Sequence, residues 1–231
     1  MKRSQINQIL KEDIAFAKKH QVFFPDFAKW NANDWKSKDS SYNEITDCML
    51  GWDVTDFGSD NFKKYGLVAF TFRNGNYNDN STYPKPYCEK LLILEEGQTL
   101  PMHFHKLKTE DTINRGGGNL QLTVYNSTKE EDLDTKSPVT LVKDGQKISV
   151  PAGTTITLEP GQSLTAMTRI YHRWGVEPGT GKVLVWEVSS TNDDNIDNRF
   201  LQDIPRIPDI EEDEIPYRLL FGDYKKMLAV E

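Results

Sequence analysis

The sequence predicts a mainly β protein, an antiparallel sandwich or barrel with a helical extension in front and an extended wrap behind. Three observations carry this. Short β-prone segments recur at near-regular spacing from residue 65 onward, turn signals bound several of them, and no helical pattern interrupts the run. The 231 residues suffice for a buried core, and the 11% aromatic content, with five Trp, supplies bulk that a 37% hydrophobic content alone would not. One domain is expected, divided into a helical and loop extension (1–62), a barrel core (63–190) and a C-terminal wrap (191–231).

The extension opens with Ser4 as a candidate helix cap, followed by Ile6, Ile9, Leu10, Ile14 and Ala17 at three- and four-residue steps. Lys18, Lys19 and His20 put positive charge in the last turn, and Pro25 stops the helix. Residues 27–60, with Trp30, Trp35 and Trp52 among Asn, Asp and Ser, read as a short helix plus loops that brace the core. Strands are expected at Leu67–Phe72, Glu89–Glu95, Leu120–Tyr125, Val139–Leu141, Lys147–Val150, Thr154–Leu158, Leu164–Thr168 and Val183–Val188. Corner turns fall at Pro151-Ala152-Gly153 and Pro160-Gly161. The tail from Phe200 is acidic, spaced by Pro205, Pro208 and Pro216, and ends near Leu219-Leu220-Phe221.

Charge narrows the partners. With 28 Lys+Arg against 35 Asp+Glu, the net charge of −7 opposes binding to nucleic acid or to an anionic membrane surface. No run of eighteen apolar residues exists, and from the polar start MKRSQINQILKED no secretory signal is expected. Cys48 and Cys88 are too few for a disulfide framework, so a cytoplasmic protein with reduced thiols is expected.

Three of the four histidines fall in the β region. His103 and His105 flank Phe104 on one strand, so the two-residue period directs both imidazoles to one face. Glu110 follows five residues later, near enough to return a carboxylate after a turn. Two imidazoles side by side on an inward face are costly without a cation or strong partners. His20, on the first helix, reads as a surface residue.

The spacing Gly97-x5-His103-x-His105-x4-Glu110-x6-Gly117 matches the first cupin motif at every position. Of the second motif only Gly161 and His172 remain, with Met167, Arg169 and Val176 where the pattern has Pro, Gly and Asn. The chain thus resembles the cupins. That resemblance implies a double-stranded β-helix, or jelly-roll barrel, in which His103, His105, Glu110 and His172 hold one divalent metal. Three nitrogens and one oxygen suit Mn, Fe, Co, Ni or Zn.

Two further residues are candidates for chemistry. Lys90 shares a strand face with Leu92 and Leu94, and so points either into the barrel or, as a strand-end lysine, into solvent. Glu187 shares a face with Val183 and Val185; it is either at the solvent face or inside, where it can serve as a proton-transfer base. The loop Ser189–Asn198 is dense in hydrogen-bonding groups and sits at a barrel strand's end. Arg115 with Gly116–Gly118 is no phosphate loop, because no helix start follows. Trp30, Trp52 and Trp174 serve either a sugar pocket or the core.

Taken together, MHFH with TEDTINRGGGN, YPKPYCEK, WEVSSTNDDNIDNRF, IPDIEEDEIPYRLL and LGWDVTDFGSD resemble the cupin-type D-lyxose isomerases, along nearly the whole chain. The resemblance implies a Mn²⁺-dependent aldose–ketose isomerase that interconverts D-lyxose and D-xylulose, and also D-mannose and D-fructose. Its partner is then a monosaccharide, and a homodimer is the common cupin assembly. Within that reading Glu187 shuttles the proton, Lys90 meets the developing oxyanion, and Glu211 is a second candidate acid if the tail folds over the cavity. The competing readings are an Fe(II)-dependent cupin dioxygenase and a non-catalytic sugar-binding cupin.

Overall fold

The computed structural model describes residues 1–206 and 209–224; Pro208 of the predicted proline spacing lies outside them. Helix α1 (Arg3–Lys19) leads into α2 (Ala32–Lys36) and α3 (Asn43–Asp47). Strands β1 (Gly51–Thr55), β2 (Leu67–Arg73), β3 (Tyr87–Leu94), β4 (Thr99–His105), β5 (Glu110–Gly117), β6 (Leu120–Ser127) and β7 (Leu133–Asp134) follow. The rest are β8 (Val139–Lys143), β9 (Gln146–Val150), β10 (Thr155–Leu158), β11 (Ser163–Ala166), β12 (Ile170–Val176), β13 (Val183–Ser190) and β14 (Asn198–Phe200).

These strands form two antiparallel sheets facing each other, the cupin arrangement. One has the order β1-β2-β3-β13-β5-β11-β8-β9 and the other β10-β6-β12-β4-β14, with β7 on β6. Alternation explains β3, where Leu91 to Leu94 are all buried. Leu92 and Leu94 enter the core between the sheets with Leu122, Leu158, Leu164, Val183 and Val185. Leu91 and Ile93 point the other way, onto Ile6, Leu10 and Ala17 of α1. Helix α1 therefore covers the outside of the large sheet with the stripe its periodicity implied. Each fully buried side chain such as Leu10 contributes roughly 1.5–3 kcal/mol. Among the described residues, no helix is long and apolar enough to cross a membrane.

The sheets reach beyond the expected 63–190. At one end β1 pairs with β2 (Trp52 opposite Phe70), in a stretch expected as loop; at the other β14 pairs with β4 (Phe200 opposite His103). Polar residues hid both strands: Asp53 and Thr55 break the apolar pattern of β1, and β14 is three residues long.

Ser4 does not cap α1. Lys2 occupies that position, and the Ser4 amide and hydroxyl instead donate to Asp213 of the tail, at 2.9 and 2.7 Å. The tail thus supplies from outside the carboxylate that a helix N-terminus favours. Around it, the Arg3 guanidinium donates to both Glu212 and Asp223, and Asn7 donates to Glu214 and the Ile215 carbonyl.

Candidate metal centre

The centre is assembled where β4, β5 and β12 meet in the barrel. His103 and His105 project inward from β4, and β12 places His172 directly opposite His103. Their ring centroids are 4.3 Å apart for His103 and His172, 5.1 Å for His103 and His105, and 5.4 Å for His105 and His172. Glu110, the first residue of β5, completes the group, its two oxygens each 3.2 Å from an imidazole Nε2, one of His105 and one of His172.

Hydrogen bonds behind the rings orient them. His103 Nδ1 lies 2.8 Å from the Pro101 carbonyl, and His172 Nδ1 lies 3.0 Å from the Ile170 carbonyl. A carbonyl only accepts, so these Nδ1 atoms carry the proton and each Nε2 presents a lone pair to the centre. His105 Nδ1 faces the Asp197 carboxylate at 3.2 Å, a charged version of the same arrangement. Burial, with His172 and His105 nearby, holds His103 well below the usual histidine range, in the neutral form a ligand requires. Burial alone would raise Glu110, but Lys108, His105 and His172 outweigh it and hold this carboxyl well below the ordinary carboxylate range.

The donor atoms fit a divalent cation. His172 Nε2 and Glu110 Oε1 are buried without a hydrogen-bond partner, Glu110 Oε2 faces the Lys108 ammonium at 2.9 Å, and ligand atoms of the three histidines lie within 4.8 Å of one another. Orphaned buried acceptors are rare in proteins, and convergent ones are what a cation satisfies.

Lys90 and Glu187 both face the cavity. They stand opposite each other on β3 and β13, and both are buried. Glu187 is not set against an apolar wall: its Oε1 accepts from Lys108 Nζ at 2.7 Å and lies 3.9 Å from Lys90 Nζ. Lys108 also stands 2.9 Å from Glu110 Oε2, and Lys90 stands 3.6 Å from Asp194 Oδ1. Asp194 in turn accepts from Arg206 at 3.0 Å. A chain of alternating charge, Arg206–Asp194–Lys90–Glu187–Lys108–Glu110, therefore runs into the metal centre.

Glu211 lies elsewhere. It is exposed, bridged to Lys2 at the start of α1, with its carboxylate 3.6 Å from the Lys2 ammonium. The acidic tail folds onto the helix rather than over the cavity, because the helix N-terminus and Arg3 attract it there. Trp52 packs in the core beneath α1, and Trp30 stacks edge-on against Trp35 and Tyr42. Only Trp174 of the three singled-out tryptophans lines the cavity. Arg115 is exposed on β5, and His20, half-buried, packs on Phe16.

A profile of the D-lyxose isomerase family matches residues 1–224. The chain is 43% identical to a D-lyxose/D-mannose isomerase of Serratia proteamaculans over 230 residues, 99% of this chain and 100% of that one. The chain belongs to the D-lyxose isomerase family. A D-lyxose/D-mannose isomerase of Escherichia coli is likewise 43% identical, over 98% of this chain and 99% of its own. Among solved structures, L-ribose isomerases of Cellulomonas parahominis and Geodermatophilus obscurus each align with a TM-score of 0.60 at 16% identity. They cover 91% of this chain and 98% of theirs, a likeness of fold. Membership in the D-lyxose isomerase family makes the chain an aldose–ketose isomerase.

Sequence reasoning missed Lys108, Asp194, Asp197 and Arg206. Lys108 occupies the short turn between two ligand-bearing strands, where no periodicity assigns a direction. Asp194 and Asp197 lie within the polar loop after β13, where the density of hydrogen-bonding groups points to the loop as a whole and does not separate its members.

Proposed function

We propose that the protein interconverts D-lyxose and D-xylulose, and D-mannose and D-fructose, with Mn²⁺ held by His103, His105, Glu110 and His172. The observation that carries the reading is the convergence of these four donors on one point beside the Lys90–Glu187–Lys108 ion chain. A divalent ion at such a site supplies Lewis acidity toward a sugar's carbonyl and adjacent hydroxyl oxygens.

The remaining work falls to this chain's own residues. Aldose–ketose conversion removes a proton beside a carbonyl and returns it to the neighbouring carbon. Glu187, fixed by Lys108, accepts and returns that proton. Burial lowers the Lys90 pKa, but Asp194 and Glu187 outweigh it and hold the amine above its ordinary value. Lys90 therefore remains an ammonium and acts as a donor to the enediolate oxygen, not as the base. Glu211, outside the cavity, has no part in this scheme.

The experiment is to strip the protein of metal, add Mn²⁺ without oxygen, and follow a panel of aldoses and ketoses. Interconversion of D-lyxose and D-xylulose is expected, with no oxygen dependence. No conversion of any sugar contradicts the proposal, and oxygen uptake coupled to substrate loss supports the dioxygenase instead.

A further inference from the structure

The space beside the metal centre is too small for a sugar. It measures about 40 Å³, room for a few water molecules, where small-molecule sites measure roughly 300 Å³ or more. A sugar enters only if part of the wall moves. Most of the wall is strand: Lys90, Glu187, Glu110, His103 and Trp174 stand on β3, β13, β5, β4 and β12, each held by a hydrogen-bonded ladder. Arg206 instead comes from the tail, five residues past the last main-chain bond of β14 and its extension at Leu201.

Residues 202–206 are held mainly by side chains. The Leu201 amide donates to the Met102 carbonyl at 2.9 Å, but among the described residues no amide of 202–206 is bonded to another main-chain group. Gln202, Asp203 and Pro205 are exposed, and Ile204 packs on the core. At the far end Arg206 Nη2 donates to Asp53 at 2.6 Å and to Asp194 at 3.0 Å, and the Thr55 hydroxyl donates to the Arg206 carbonyl at 2.9 Å. A segment with exposed residues and no main-chain ladder opens at a lower cost than the sheets beneath it.

The loop after β1 forms its seat. The Arg206 guanidinium lies 6.0 Å from the Phe57 ring centre, and that ring lies 5.9 Å from Phe200. A Cβ on Gly58 would fall 2.4 Å from the Pro205 ring, so only glycine lets the segment lie this close. Phe57 itself has a φ of 54°, left-handed strain of the kind that collects at clamps and switch regions.

We propose that residues 202–206 are a strap that lifts from Phe57 and Gly58 to admit the sugar and closes over it, with the Arg206 bonds to Asp53 and Asp194 as its latch. The proposal rests on the isomerase reading above. Closing shuts out water and returns Arg206 to Asp194, the carboxylate that stands 3.6 Å from Lys90, so closure also completes the charge chain.

The test locks the strap. A Cβ at position 58 lies 3.8 Å from Pro205 Cβ, a spacing of about the usual disulfide value, so Gly58→Cys/Pro205→Cys should form a disulfide with the strap seated. The native Cys48 and Cys88 are buried and do not compete. The oxidised variant should keep its metal and lose about 10-fold or more in kcat/KM for D-lyxose, with recovery on reduction. A fully oxidised variant that turns over like its reduced form, or that sheds metal on oxidation, overturns the strap. A second measurement needs no disulfide: trypsin cleavage after Arg206 in the folded wild type, read by mass spectrometry. It should outpace global unfolding, slow in saturating D-lyxose, and quicken about 10-fold in Asp53→Asn, which loosens the latch. Cleavage only at the rate of global unfolding overturns the proposal even if the disulfide variant fails to fold. If the wild type converts no sugar, the isomerase reading fails, and the cleavage rate without sugar still judges the strap.

Discussion

The ion cluster joining the two ends of the chain and the one inside the barrel both bury charge, yet they are completed differently. At the termini, the Arg3 guanidinium makes hydrogen bonds of 2.7 to 3.0 Å to Glu212 and Asp223, and Asp223 also accepts from the Leu220 amide at 2.9 Å. No side-chain atom of Arg3 or Asp223 is left buried without a partner. In the barrel, Glu110, His172, Asn198 and Arg206 all carry such atoms. The first cluster is closed and acts as scaffold, fastening the tail to α1. The second leaves several such atoms converging on one cavity, the arrangement expected where a ligand completes the cluster.

Substitutions sharpen that comparison, beginning with the metal ligands. His105→Ala should release the metal and lower turnover by about 10³-fold or more, since Lewis-acid stabilisation is worth several kcal/mol. Metal analysis after dialysis, alongside a sugar-conversion assay, checks both losses. Glu187→Gln should keep the metal and lose about 10²–10⁴-fold in kcat, the usual contribution of a general acid–base group. Normal turnover in that variant would remove Glu187 from the mechanism. Asp197→Asn should weaken metal binding by about 10–100-fold through the misoriented His105, and a competitive chelator titration reads this without any activity assay.

The smallest effect on activity is expected at the terminal cluster. Asp223→Ala leaves Arg3 beside the partly exposed Glu212 alone and should cost about 3–5 kcal/mol of stability in urea unfolding. The folded fraction should keep its metal affinity and its kcat. A large drop in either would erase the distinction between scaffold and site.

Much of this was legible in the residues. The grouping of His103, His105 and Glu110 could be read because a strand's two-residue period and the Gly97 to Gly117 spacing agree, whereas alternation leaves Lys90 and Glu187 either inside or in solvent, and only the burial of the Leu92 face decides for the cavity. The Arg206 contribution was not legible. It comes from the tail, whose course depends on contacts more than two hundred residues apart in sequence, such as Arg3 with Glu212 and Asp223. The same long-range contacts explain Glu211. An acidic run carries no local signal for which carboxylates face inward, and here the helix N-terminus takes them. Strand β1 was hidden for a related reason: its register is imposed by β2, with Asp53 serving Arg206 rather than an apolar face.

The proposal makes the barrel cluster a metal centre on which sugar isomerisation depends. Its most direct test is a Mn²⁺ titration of metal-free protein, reading bound metal and D-lyxose conversion in the same samples. One equivalent per chain, with conversion rising in step and both lost in His105→Ala, is the expected result. Full conversion without metal, or one tightly bound equivalent with no conversion of any sugar, would contradict the account.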